Sequence, residues 1–554
     1  MKLKIWLFII LLHFTIANGQ DILSKSYAQL DSMYYAFLRI KNLLGPVYYG
    51  YIKDKKCGFG LINSVKMNIT FFPQEKRDII SSVLFRPITQ KSLITPSGKF
   101  RVHFDTSGIH SIQYSIEELI KAIDSVYNFE VNLMGFPEPP GDFGSGGDDR
   151  YDIYIQNISP LYGYTEFEQP VGGNRYTSFI IIDNSFHEVD YYTKGIDAAR
   201  VTIAHEYHHA IQIGNYIYRE SDTFFYELTS TSMEEFVFDS VNDYYGYIRN
   251  YFANPTKLFS SYDGYSQAIW NIYLYKLFKD FSIFRDQWEL MKNHRALDAI
   301  RLSIGDRGKS FRDVFSNFYL WNYYTGDRSD STNYYEEGKY YPQINFSLIS
   351  HFTGQSKIIN GRSQPCSGHY FLIIDSLLKQ PFPPDSLVLI LVNTNIDSAL
   401  QWNGSSQGFN YKITLVTQQS DQSYKKVTTN LYSKLEVNDP KNWVDRYIVN
   451  DTSKSVLTFE GKGYAFPMPV DFSKNNYVKI PVPNDWSGEI ELKIFSAGLD
   501  LIFSNKRNVQ VFEDKLTVLW DGRDNNNNKV SSGVYFYIAV MNNKQTIGKI
   551  VVIN

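Results

Sequence analysis

Residues Val201–Gly214 read VTIAHEYHHAIQIG, with three histidines and a glutamate inside five consecutive positions. Ile203, Tyr207, Ala210 and Ile211 recur at helical spacing, which predicts a helix with an apolar face, and Gly214 suits its stop. Positions i and i+4 of a helix share one face. His205 and His209 can therefore reach one ion with Glu206 beside it, the His-Glu-x-x-His zinc pattern. His208, three residues after His205, offers a rival i,i+3 pairing that leaves Glu206 without a role. The pattern arises by chance in about one chain in a hundred of this composition. Buried polar side chains are costly without partners, so a bound metal is expected; the alternative is a surface helix whose histidines bind nothing.

A catalytic zinc takes three protein ligands and keeps one position open. The third ligand is expected on the next helix, SDTFFYELTSTSMEEFVFD (Ser221–Asp239), with Ser221 or Asp222 as its cap. Glu227 lies there among Phe224, Phe225 and Tyr226, on a face shared with Thr231 and Glu234. Glu234 and Glu235 are rival ligands, although MEEF reads as the solvated helix end. A transition-state oxyanion needs a further donor, and Tyr262 and Tyr265 in SYDGYSQ are the candidates.

His-Glu-x-x-His followed by a glutamate on the next helix resembles the gluzincin metallopeptidases of the thermolysin and clostridial collagenase kind. A closer resemblance is to a group of secreted bacterial metallopeptidases, known mostly by prediction, that carry HEYxHAIQ and a downstream aromatic-E-x-T-x-T-x-M-E-E segment. Here these are AHEYHHAIQ (204–212) and FFYELTSTSMEE (224–235), preceded by FRVHFDTSG, GGDDRYDIYI, YGYT and SFIIIDN. The likeness spans about residues 99–290. It implies an α+β zincin-like metallopeptidase domain holding Zn²⁺ through His205, His209 and Glu227, with Glu206 as general base in peptide-bond hydrolysis. It also implies that TSFIIIDNS (177–185) is an edge strand pairing with substrate backbone. Two departures stand out. Thr231 occupies the place where thermolysin-type enzymes carry an aspartate that orients a zinc-bound histidine, and no calcium-type DxNGNGxPD run follows HFDTSG.

The rest of the 554-residue chain predicts a multidomain protein. Lys2 and Lys4, the apolar Ile5–Leu12 run and Ala17-Asn18-Gly19 make residues 1–19 a signal peptide. Residues 20–95 read as a separate N-terminal region, a possible propeptide, with a helix in SYAQLDSMYYAFLRIKNLL and a β-prone run in SSVLFRPI. The metallopeptidase-like domain is expected over 96–350. After it come all-β sandwich domains: an accessory one over 351–470 and an Ig-like one over 471–554. VKIPVP, LKIFSAGLDLI and LWDGRDNNNNKVSSGVYFYIAV in the last resemble the C-terminal sorting module of proteins exported by type IX secretion. The resemblance implies a secreted or cell-surface protein in contact with secretion machinery. A formal charge of −3 argues against nucleic-acid partners, and a monomer acting on proteins or peptides is expected.

Asp142, Asp148, Asp149 and Asp152 in GDFGSGGDDRYD suit Ca²⁺, with a solvated turn as the alternative. Export permits a disulfide between Cys57 and Cys366; a free buried thiol is a second reading. KKCGFG around Cys57 also resembles the cysteine switch of matrix-type metallopeptidases, in which a propeptide thiolate blocks the zinc. His103 and His187 read as structural. The rival to a secreted zinc endopeptidase is an inactive surface adhesin or binding protein on the same fold; a glycan-binding protein built on the β-domains is a third reading.

Overall fold

The computed structural model describes residues 26–41, 43, 56–189, 191–352, 356–361, 364–375, 386–396, 409–418, 424–433, 445–450, 465–483, 486–512, 515–542 and 544–553. The expected signal peptide lies outside these residues. The chain divides into two compact units, Met1–Ile248 with Asp263–Ala299, and Arg249–Tyr262 with Ile300–Asn554.

The first unit is built on a five-stranded sheet. Its strands are β1 (Lys91–Ile94), β2 (Phe100–Phe104), β3 (Tyr151–Gln156), β4 (Gly163–Gly172) and β5 (Arg175–Asp183), in the order β1-β2-β3-β5-β4. β2, β3 and β5 are parallel, and β1 and β4 run antiparallel at the two edges. The Ile180-Ile181-Ile182 run of β5 is buried on both faces, as suits a central strand. TSFIIIDNS is therefore internal rather than an edge strand, the edges being β1 and β4. SSVLFRPI forms no strand. Pro87 has no N–H to donate, and Arg86 turns inward to ion pairs with Asp142, Asp152 and Glu168.

Helices cover both sheet faces. On one lie α1 (Tyr27–Ile40), α2 (Phe59–Met67) and α3 (Gln74–Ser81). Ser26 and Gln29 close a reciprocal capping box at the start of α1. Leu30, Phe37, Ile62, Val65 and Ile80 share a core with Tyr154, Tyr164, Phe179 and Ile181 of the sheet. Lys41 and Lys66 add ion pairs to buried Glu166 on β4 at 3.1 and 3.0 Å. The N-terminal region thus packs into the first unit.

The second face carries α4 (Ile116–Tyr127), capped by Ser115 through the Glu118 amide at 3.2 Å, and α5 (Gly195–Asn215), which lies across β5 and β4. α6 (Thr223–Val237) packs beside α5, and α7 (Ala268–Phe278) beside α6. Asp222 occupies the cap position of α6 without capping it, because its carboxylate is held by Arg219 and Arg295. Val201–Gly214 is buried all round rather than on one stripe. α5 runs one residue beyond Gly214, where a side chain would come within 2.5 Å of Pro140.

The second unit holds the helix Phe311–Tyr323 and the remaining strands. A five-stranded sheet comprises Leu348–Phe352, Ser367–Asp375, Ser386–Asn393, Phe409–Gln418 and Tyr424–Ser433, and Ser356–Gly361 pairs with Asp445–Asn450. The last module stacks a three-stranded sheet on a four-stranded one around Val478, Ile480, Leu492, Ile494, Trp520 and Tyr537, the expected β-sandwich arrangement. Cys57 and Cys366 are both buried, and no disulfide joins them.

Gly163 sets the distance between sheet and helix. A methyl group there would lie 2.8 Å from Thr202 Cγ2, 3.0 Å from Glu206 Cγ and 3.0 Å from the Ile181 carbonyl. Gly163→Ala is expected to destabilise the first unit by about 1–3 kcal/mol, read as a lower midpoint of its thermal transition in calorimetry. An unchanged midpoint would contradict this close approach.

Candidate metal centre

α5 and α6 bring the expected ligands together. Glu227 Oε2 lies 3.1 Å from His205 Nε2 and 3.4 Å from His209 Nε2. A tetrahedral zinc set with bonds of about 2.0–2.3 Å has ligand–ligand edges of roughly 3.3–3.8 Å, so these spacings suit three atoms sharing one ion. His209 Nε2 is buried and has no hydrogen-bond partner among the described residues. With Nδ1 as the donor, Nε2 carries a lone pair that needs an electrophile, and a metal ion is one.

The other ring nitrogen of each histidine is held. His205 Nδ1 donates to Glu234 Oε1 at 2.8 Å, and His209 Nδ1 to Gln212 Oε1 at 2.7 Å. The Gln212 amide is fixed in turn, donating to Thr229 Oγ1 at 2.9 Å and the Tyr226 carbonyl at 3.2 Å. Partners of this kind set the tautomer and ring orientation of a metal-bound histidine. Glu234, weighed above as a rival ligand, is instead the acid that orients His205. Thr231 is buried, and its hydroxyl meets no partner among the described residues. The orienting carboxylate therefore comes seven residues after Glu227 rather than four. Both offsets return to the same helix face, so spacing alone could not choose between them.

Charge here is unbalanced. Glu206, Glu227, Glu234 and Asp243 are buried, and the ammonium among them is that of Lys56, paired with Glu234 and Asp243. Burial alone would lower the pKa of His205, but its hydrogen bonds to Glu227 and Glu234 raise it to about 9. Burial would raise Glu227, yet His209 and the hydrogen bond to His205 bring it to about 2. Both directions mark a place where positive charge is stabilised, as a divalent cation requires.

Glu206 stands beside the ligands, buried. The Thr165 hydroxyl of β4 lies 2.8 Å from both its Oε2 and its backbone carbonyl. Burial raises its pKa. Tyr265 also reaches the site: its ring stacks near His205 at 6.0 Å, and its hydroxyl accepts the Cys57 N–H at 3.3 Å. Gly264 makes this possible. Its φ is +100°, and a side chain there would meet the Phe224 carbonyl at 2.2 Å and Glu227 Cβ at 2.6 Å. The Tyr262 hydroxyl donates to the Asn254 carbonyl.

Cys57 completes the cluster. One donor atom from each of Cys57, His205, His209 and Glu227 lies within 4.8 Å of the others, all buried. Sulfur with imidazole nitrogen and a carboxylate oxygen is a donor set that suits Zn²⁺. Lys56 and Cys57 come from the N-terminal segment and Asp243 from the loop after α6, so no local spacing could have assembled them.

His208 points elsewhere. Its Nδ1 meets Glu130 Oε2 at 2.8 Å, and its ring lies edge-on to Phe136. Burial lowers the pKa of His208 and raises that of Glu130. The Asp142–Asp152 loop is tied by cations. Arg86 holds Asp142 and Asp152, Arg101 and Arg150 hold Asp148, and Asp149 accepts the Gly144 N–H at 2.8 Å. Guanidinium groups thus occupy places that the calcium reading assigned to an ion. His103 stacks on Tyr154 and meets Asp152 at 2.7 Å, in keeping with a structural role.

No family model matches the chain, and no curated protein matches it. Among solved structures it is similar to dimeric latent PorU from Porphyromonas gingivalis, at 14% identity, over 36% of this chain and 20% of that one, with a TM-score of 0.15. PorZ, a bacterial surface component of the type IX secretion system of the same organism, matches at 14% identity over 34% of this chain and 38% of that one, with a TM-score of 0.13. Neural ectodermal development factor IMP-L2 matches at 12% identity over 37% and 88%, with a TM-score of 0.11. Scores this low establish no common fold, and the chain corresponds to well under half of each Porphyromonas protein.

His205→Ala and Glu227→Ala are expected to abolish stoichiometric zinc after dialysis, whereas His208→Leu should retain it; elemental analysis checks this. Glu234→Gln and Gln212→Leu should each weaken zinc binding about 10–100-fold, measured by competition with a chromogenic chelator. Equal loss from His208→Leu and His205→Ala would reinstate the i,i+3 pairing.

Proposed function

We propose that this protein is an exported zinc-dependent endopeptidase of the gluzincin type, with an α+β zincin-like catalytic unit and accessory β-modules. One observation carries the reading: His205, His209 and Glu227 converge on a common point, each histidine is oriented from behind, and Glu206 stands alongside. A structural metal would need the ligands alone. It would have no use for a carboxylate steadied by Thr165 or for a tyrosine brought in by Gly264.

A Zn²⁺ ion bound there supplies Lewis-acid chemistry, polarising the scissile carbonyl and making water a nucleophile near neutral pH. Glu206 takes the proton of the attacking water and returns it to the leaving amine. Thr165 steadies the Glu206 carboxylate through its second oxygen. Tyr265 donates its phenolic proton to the developing oxyanion. The edge strand β4, one residue of which is Thr165, pairs with substrate backbone by strand addition and aligns the scissile bond with Glu206. The substrate is a protein or peptide in extended conformation.

Export is supported by the signal-like residues 1–19 and by the C-terminal sandwich that resembles a type IX sorting module. Among the described residues, no helix is long and apolar enough to cross a membrane.

The test is zinc analysis with casein and gelatin hydrolysis, run on the parent chain and on Cys57→Ser, because the Cys57 thiol lies among the ligands. Glu206→Gln in the Cys57→Ser background should keep its zinc and lose about 10²–10⁴-fold in kcat. Tyr265→Phe in that background should lose about 10²–10³-fold in kcat with little change in KM. Zinc binding with no hydrolysis by either parent or Cys57→Ser would favour the non-catalytic binding protein instead.

A further inference from the structure

We propose that Cys57 is the fourth ligand of the metal centre, and that Lys56–Phe59 is a built-in inhibitor that holds the peptidase latent. The inference rests on the metallopeptidase reading above and adds its regulation. Four protein ligands make a closed zinc site, whereas a catalytic site keeps one position open. Cys57 Sγ belongs to the buried donor cluster with His205, His209 and Glu227. The unpartnered Nε2 of buried His209 belongs to the same cluster. A thiol among three metal ligands is a ligand by its chemistry, since thiolate binds zinc strongly.

The segment engages groups the reaction needs. Cys57 pairs with Gly163 in parallel: the Tyr162 N–H donates to the Lys56 carbonyl and the Gly58 N–H to the Gly163 carbonyl, both at 3.0 Å. It thereby takes the β4 edge that a substrate would use. Cys57 Sγ accepts the Phe59 N–H at 3.2 Å, and the Cys57 N–H donates to the Tyr265 hydroxyl. Lys56 is bound to Glu234, the acid that orients His205, and to Asp243. Phe59 lies flat on the His209 ring at 3.9 Å and 5°, with Tyr218 and Tyr226 around it. Gly58 allows the close fit, since a side chain there would come within 3.1 Å of Tyr164 Cβ and Ile62 Cδ1. A segment serving only to complete a structural metal site would not need to take the β4 edge and the Tyr265 hydroxyl as well.

The chemistry balances without a redox step. On closing, the Cys57 S–H bond breaks, its proton goes to solvent, and the sulfur–metal bond forms. On opening, that bond breaks, water takes the coordination position, and the thiolate recovers a proton from solvent. Opening requires the thiolate to leave the metal. The stretch between α3 and β1 has no helix or strand and leaves Phe85 and Ile88 at 62% and 96% exposure; a cut there by another peptidase would sever the covalent tie between the segment and the sheet and leave packing alone to hold it.

The experiment uses the full chain loaded with Co²⁺ in place of zinc. The parent should bind one Co²⁺ with a thiolate-to-cobalt charge-transfer band in the near ultraviolet. Cys57→Ser should bind one Co²⁺ with visible d–d bands but without that band, and its zinc form should hydrolyse casein about tenfold faster than the parent or more. Cobalt bound by the parent without the band overturns Cys57 as a ligand and leaves the metal centre standing. The band present with equal hydrolysis by parent and Cys57→Ser overturns latency. No cobalt bound by either chain refutes the metal centre itself, and this inference with it. If Cys57→Ser fails to fold, the band on the parent decides the ligand question, and Cys57→Ala replaces it in the rate comparison.

Discussion

The structure around the site depends on one buried arrangement, His205 held between two carboxylates. Glu227 faces its Nε2 at 3.1 Å and Glu234 faces its Nδ1 at 2.8 Å. Isolated carboxylates inside a protein are very costly, and they persist only when paired or bound to a cation. α5 must therefore lie against α6, and a positive charge must be shared among them. The same requirement draws in Lys56, whose ammonium lies between Glu234 and Asp243. A helix with polar residues buried on every side is intelligible only as one wall of such a centre.

The N-terminal segment is part of the fold and also lies against the site. Ile62, Val65 and Ile80 share a core with Tyr154, Phe179 and Ile181, so the segment is anchored by ordinary apolar burial. That anchoring delivers Lys56, Cys57 and Phe59 to the ligands without requiring high local affinity from any one of them. The segment thus covers β4, whose edge would otherwise be open to strand pairing.

Much of the centre was legible in the chain. The i,i+4 spacing of His205 and His209, and a carboxylate stranded among aromatics at Glu227, are local patterns tied to helical geometry. Local patterns fail where two residues share a face equally well. Thr231 and Glu234 both return to the face of Glu227, and only the approach of α5 decides which meets His205. Tyr262 and Tyr265 could not be told apart by composition. Gly264, with φ +100° against the Phe224 carbonyl, turns the chain so that Tyr265 enters the site while Tyr262 bonds to Asn254. The edge strand was misplaced for a similar reason. TSFIIIDNS is apolar enough for any sheet position, and strand order is set by pairing between segments distant in sequence.

Sequence by itself determined the helix, the two histidines that share its face toward Glu227, the neighbouring glutamates and the β character of the C-terminal modules, because these follow from periodicity and side-chain chemistry within short windows. Tertiary structure alone decided that β4 rather than β5 lies at an edge, that Glu234 and Gln212 meet the Nδ1 atoms of the two histidines, and that Cys57 lies within reach of His205, His209 and Glu227. Each of those depends on which distant segments share a buried surface. In a dense interior, the partner of a polar atom is whatever the packing brings within hydrogen-bond reach.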